Sequence, residues 1–80
     1  MNKKKRIDNE RKFDEWIEIN NSGRIYRLKI IGKFKGYAIY EKEVDKGENT
    51  IKFTQFIYDE DNTLKWFHEK YPIDKGHKKI

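Results

Sequence analysis

Four clusters of turn-forming residues cut the middle of this sequence into alternating pieces of eight or nine residues. "NNSG" at 20–23, "GKFKG" at 32–36, "DKGEN" at 45–49 and "DEDN" at 59–62 are built largely from Asn, Asp, Gly and Ser. These residues tolerate positive φ or bond back to their own backbone. Between the clusters, 24–31 sets Tyr26, Leu28 and Ile30 against Arg27 and Lys29. Residues 37–44 set Tyr37 and Ile39 against Ala38, Tyr40 and Val44, and 51–58 set Ile51, Phe53 and Ile57 against Phe56 and Tyr58. Residues 63–71 set Leu64 and Trp66 against Phe67 and Tyr71, and Pro72, with no N–H to donate, closes the series. A period of two means strands. Connections this short allow only antiparallel pairing, because parallel neighbours need long crossovers.

The expected fold is therefore mainly β. It is a four- or five-stranded antiparallel meander, twisted or curled into a half-barrel, with one short N-terminal helix in an α+β variant. No helix fits inside 24–71. The segment "FDEWIEI" at 13–19 reads two ways: Phe13, Trp16 and Ile17 share one helical face, while Ile17 and Ile19 alternate around Glu18. Residues 1–12 are expected to form a basic, flexible arm, 13–72 a single β-rich domain, and 73–80 a basic tail.

The third and fourth strands are apolar on both faces, although a single sheet in water needs one polar face. The second face must be covered by the 13–19 segment, by curling of the sheet, by a second copy of the chain, or by a ligand. The need is acute because the chain has 80 residues, 35% hydrophobic and 15% aromatic, and no Cys to cross-link it. A domain this small buries only about 60% of the surface its unfolded chain exposes.

The formal net charge is +5, but it is unevenly placed. Residues 1–12 hold +4, 72–80 hold +2, and 13–71 sum to −1. Within that body, 20–40 contain Arg24, Arg27, Lys29, Lys33 and Lys35 with no acid. An acid-free basic stretch attracts polyanions. Beside it, Lys35, Gly36, Tyr37 and Ala38 fit the first four places of the RNA-recognition motif's signature strand. Ile39 and Lys42 then stand where that signature has aromatics, and the helices of that fold have no room here. What survives is the physics of a Gly-bounded basic loop next to rings. The expected function is a small nucleic-acid-binding module that contacts the phosphates of DNA or RNA, without sequence specificity, through the acid-free hairpin 24–37. Its candidate contacts are Arg24, Arg27, Lys29, Lys33 and Lys35 for phosphates and Phe34 and Tyr37 for stacking.

A second chemistry lies at the C-terminal end. "HEKYPIDKGHKK" places His68, Tyr71, His77 and Lys78 close together. Metal-independent ribonucleases combine a general base, a general acid and cations that neutralise the developing phosphorane charge. The stretch weakly resembles the end of the TumE-type toxins of toxin–antitoxin pairs, without their doubled histidines. That resemblance implies an RNA-cleaving toxin using those four residues. A third reading is a homodimeric or protein-interaction domain that closes its second apolar face. No cofactor motif and no metal-ligand spacing is present. There is no apolar run long enough for a signal peptide or a membrane span, so the expected location is cytoplasmic, with no membrane partner.

Overall fold

The computed structural model describes residues 3–32 and 36–73, and the backbone of 77–79. Helix α1 (Lys3–Lys12) is followed by β1 (Glu15–Glu18), a 3-10 turn (Asn20–Ser22), β2 (Arg24–Ile31), β3 (Tyr37–Val44), β4 (Thr50–Tyr58), β5 (Leu64–Tyr71) and β6 (His77–Lys79). The strands form one antiparallel sheet in sequence order, a five-stranded meander extended by the three-residue β6. The sheet is open, with β1 and β6 as its edges. Among the described residues, no helix is long and apolar enough to cross a membrane.

The turns behave as their composition dictates. Asp45 Oδ1 accepts hydrogen bonds from the backbone N–H of Gly47 and Asn49, both at 2.9 Å. Asp59 Oδ1 accepts from Asp61 and Thr63 at 2.9 and 3.0 Å. Each turn then takes one residue through positive φ, Glu48 at 65° and Asn62 at 63°. These backbone donors hold both aspartates below their ordinary pKa, against the opposing effect of burial. Gly23 is required for a different reason: its φ is ordinary, but a Cβ there would lie 2.5 Å from the Val44 carbonyl oxygen.

Strand pairing sorts the side chains into rows across two faces. On the helix face the rows are Trp16–Tyr26–Lys42–Phe53, then Leu28–Tyr40–Gln55–His68, then Ile30–Ala38–Ile57–Trp66. On the opposite face they are Ile17–Ile25–Glu43–Lys52, then Glu15–Arg27–Glu41–Thr54–Glu69, then Lys29–Ile39–Phe56–Phe67, then Ile31–Tyr37–Tyr58.

Helix α1 covers only one end of its face. The core there is Phe13, Tyr26 and Val44, with Leu28, Tyr40 and Phe53 packed against it. Phe13 meets Tyr26 at 5.6 Å and Phe53 edge-on at 6.4 Å between ring centroids. The helix itself is held by polar contacts. Glu48 is 2% exposed and accepts from Arg6 Nε (2.9 Å), Asn9 Nδ2 (3.1 Å) and the Tyr26 hydroxyl (2.8 Å). Burial pushes the Glu48 carboxyl up, and those three donors more than reverse it, so its pKa lies below the ordinary value.

The short N-terminal helix of the α+β variant is present: residues 3–12 form α1, which packs against the sheet. They lack an apolar stripe, so periodicity could not reveal them; their anchors are Arg6, Asn9 and Glu10, all polar. The 13–19 segment does not cover the second apolar face. Phe13 enters the helix-side core, and Glu15–Glu18 lengthen the sheet as edge strand β1. The strand β6 lies within the segment expected as a tail.

Candidate nucleic-acid interface

The seven residues selected from sequence separate once the strands pair. Arg24 points to the helix face, where it is buried. Its guanidinium donates to Glu10 (2.7 Å), to Glu18 (3.4 Å) and to the Tyr26 hydroxyl (3.4 Å), and the Glu10 bond raises its already high pKa. Arg27 lies on the opposite face between Glu41 (2.8 Å) and Glu15 (4.0 Å). Among the described residues of the acid-free stretch, Arg24 and Arg27 are therefore paired cations rather than open positive charges. Acids from α1, β1 and β3 are brought to it by pairing, and two of its five cations are matched. Lys33, Phe34 and Lys35 lie outside the described residues.

Lys29 and Tyr37 do come together. Tyr37 stacks on its cross-strand partner Tyr58, with centroids 5.0 Å apart and planes 12° from parallel. The Lys29 ammonium sits 4.3 Å from the Tyr37 centroid, a cation–π contact. The Tyr37 hydroxyl donates to Asn62 Oδ1 at 2.8 Å. In the adjoining row Ile39, Phe56 and Phe67 are partly buried, with Lys29 at one end of the row and Lys78 in register at the other. Among the described residues, no element of the fold lies over this face. It carries four rings on three adjacent strands, bordered on one side by the ion-paired row of Arg27 and Glu41.

Tyr58, Phe56 and Phe67 were not among the residues chosen from sequence. The signal that could have found them was the two-faced apolarity of the third and fourth strands. It marks a face needing a cover, and rings on neighbouring strands then meet by register.

The other uncovered apolar surface is the distal end of the helix face. Ile30, Ala38, Ile57 and Trp66 form one row there, lining a groove of about 400 Å³ with Asp59 and Lys65 at its rim. Ile30 and Trp66 are 48% and 40% exposed, and Ile31, across the sheet, is 70% exposed.

The residues of the ribonuclease reading are related by backbone register across β4, β5 and β6. His68 and His77 are direct partners across β5 and β6. Tyr71 is exposed and pairs with Phe53, while Lys78 pairs with Phe67 one position from the histidines. Among the described residues, no three His, Asp or Glu side chains are grouped to hold a metal ion. No family model matches the chain, and no curated protein or solved structure matches it.

Proposed function

We propose that this protein binds single-stranded nucleic acid on the open face of its sheet. Phe56, Phe67 and Tyr58 offer stacking surfaces, and Lys29 offers a phosphate contact held in place by the Tyr37 ring. The observation that supports this reading is the set of four rings on β3, β4 and β5 with no covering layer among the described residues, flanked by a lysine on β2. Stacking on aromatics contributes about 1–3 kcal/mol per base and tolerates any sequence, because every base has a π-face. The contribution from phosphates is smaller than the net charge implies, since Arg24 and Arg27 are matched internally.

The test is fluorescence anisotropy with short labelled single strands of DNA and RNA across a salt series. Binding is expected at about 50 mM salt, with a shallow salt slope of roughly one to three phosphates. Phe56→Leu should weaken it while conserving an apolar side chain. Lys29→Gln should weaken it and flatten the slope. No binding of either polymer at that salt would end the reading.

A second reading, a metal-independent ribonuclease, is favoured by one observation, the direct pairing of His68 with His77. It needs one imidazole as base and one as acid. Cleavage of single-stranded RNA in the presence of a chelator, abolished by either His68→Ala or His77→Ala, is its expected result. Intact RNA after prolonged incubation would dismiss it.

A further inference from the structure

The sheet ends at β1, and the parity of its ladder fixes what that edge presents. Ile19 donates its N–H to the Gly23 carbonyl at 3.0 Å, so 19 and 23 are a hydrogen-bonded pair. Bonded pairs alternate along an antiparallel ladder, which makes Ile17–Ile25 and Glu15–Arg27 the next two. The backbone N–H and C=O of Trp16 and Glu18 therefore point away from β2, and among the described residues no strand pairs with them. The side chains beside them are open as well: Trp16 and Ile17 are both exposed. Ile17 and its partner Ile25 line a groove of about 200 Å³ with Glu15, Trp16 and Arg27, room for an aliphatic side chain.

The two carboxylates of the edge are accessible too. Glu15 and Glu18 keep 67% and 72% of their side-chain surface exposed. Each is the longer of two contacts made by the arginine behind it. Arg24 lies 2.7 Å from Glu10 but 3.4 Å from Glu18, and Arg27 lies 2.8 Å from Glu41 but 4.0 Å from Glu15. An incoming cation on either glutamate thus leaves both arginines matched. A second copy of β1 would bring two more carboxylates to the edge and no cation. Charge on an edge strand is a common guard against such self-pairing. The complement of Glu15, Trp16, Ile17 and Glu18 is instead a segment reading basic–apolar–apolar–basic, and that pattern is the same in both chain directions.

We propose that the outer edge of β1 binds an extended segment of another protein that reads basic–apolar–apolar–basic, adding it to the sheet as a further strand. Its backbone exchanges hydrogen bonds with Trp16 and Glu18, the mode by which exposed sheet edges take up peptides. Residues directly opposite each other share a face, so one apolar side chain enters the groove of Ile17 and Ile25 and the other lies beside Trp16. The basic residues at the two ends face Glu15 and Glu18. The site uses none of the rings on β3, β4 and β5. It goes beyond the nucleic-acid reading, and either can fail without the other.

The experiment is backbone amide NMR of the full chain, read as shifts and as hydrogen exchange. The probe is a blocked hexapeptide with Lys-Val-Val-Arg at its centre. One control replaces both basic residues with Asp, and another methylates the backbone nitrogens. In the free protein the Trp16 and Glu18 amides should exchange faster than those of Ile17 and Ile19. Saturating peptide should slow exchange at Trp16 and Glu18 and shift their signals, leaving Phe56, Tyr58 and Phe67 in place. The acidic and the methylated peptides should bind about tenfold more weakly or worse. Glu15→Gln and Glu18→Gln, at exposed side chains, should each weaken binding about two- to fivefold, the loss of one exposed ion pair. No saturable shift at millimolar peptide, equal affinity for either control peptide, or protection that spares Trp16 and Glu18 would overturn the proposal. So would protection of those two amides that rises with protein concentration alone, which assigns the edge to a second copy, or protection by single-stranded DNA, which assigns it to nucleic acid.

Discussion

Replacing Glu48 with Gln tests whether a buried carboxylate, rather than an apolar stripe, holds α1 to the sheet. The change conserves shape and removes the charge. Glu48 Oε1 accepts from Arg6, while Oε2 accepts from both Asn9 and Tyr26. A glutamine has one acceptor oxygen and one NH2. With the oxygen kept toward Asn9 and Tyr26, its NH2 faces the Arg6 guanidinium, donor against donor. With the oxygen turned to Arg6, its NH2 faces the Asn9 amide, whose own oxygen already accepts from Lys42 at 2.9 Å. Either orientation loses at least one charge-assisted bond, a cost of about 2–3 kcal/mol. Arg6 is 22% exposed and can turn to water, which keeps the cost below that of a fully buried broken pair. In a domain of this size such a loss lowers the melting temperature by roughly 10–20 °C. The carboxyl's folded pKa lies below its unfolded value, so its contribution is present above the unfolded pKa, near ~4.3. It is lost as pH falls through the folded pKa. Urea titrations followed by circular dichroism from neutral to acid pH should therefore show wild type losing its advantage over Glu48→Gln as acid is added. A difference under about 0.5 kcal/mol at pH 7, or two pH profiles that stay parallel, would refute the reasoning.

Other outcomes follow from the same contacts. Phe13→Ala should remove about 3–5 kcal/mol, because Phe13 is a buried core ring touching both Tyr26 and Phe53; chemical denaturation measures it. Gly23→Ala should cost about 1–3 kcal/mol despite an ordinary φ, since its Cβ would strike the Val44 carbonyl and force two strands apart. A neutral result in the same denaturation assay would mean that β2 and β3 shift easily there. The nucleic-acid reading requires the open face in solution, so light scattering should return a mass near 9.8 kDa. A stable dimer dissociated by Phe56→Lys would show that a second copy occupies that face.

The meander was legible because turn chemistry and a period of two are local properties. Asp45 and Asp59 fix their turns with bonds reaching no more than four residues, and the alternation from Tyr26 to Ile30 needs no knowledge of the partner strand. The helix could be offered only as a variant because its anchors are long-range and polar: Arg6 and Asn9 meet Glu48 some forty residues away. The charge reading failed for Arg24 and Arg27 for a related reason. Sequence places acids before and after the basic stretch, and only pairing shows Glu10, Glu15, Glu18 and Glu41 folding back onto it. Rings on different strands are likewise joined only by register, which is how Tyr37 finds Tyr58 and Phe56 finds Phe67.

A polar anchor at one end and uncovered rings across the other face make the two parts energetically separable. The Glu48 cluster lies at the α1 end of the helix face, whereas Phe56, Phe67 and Tyr58 line the opposite face and share no bond with it. Distant sites without shared partners act additively to within about 0.5 kcal/mol. A single strand bound to the open face at one hundred times its Kd should stabilise the fold by about 2.7 kcal/mol. The same increment is then expected in Glu48→Gln as in wild type, provided the oligonucleotide is at the same multiple of Kd. Thermal unfolding of both proteins, free and loaded, measures the four corners of that cycle. An increment that differs between the two by more than about 1 kcal/mol would mean that the strand also touches α1, and would move the binding surface off the open face.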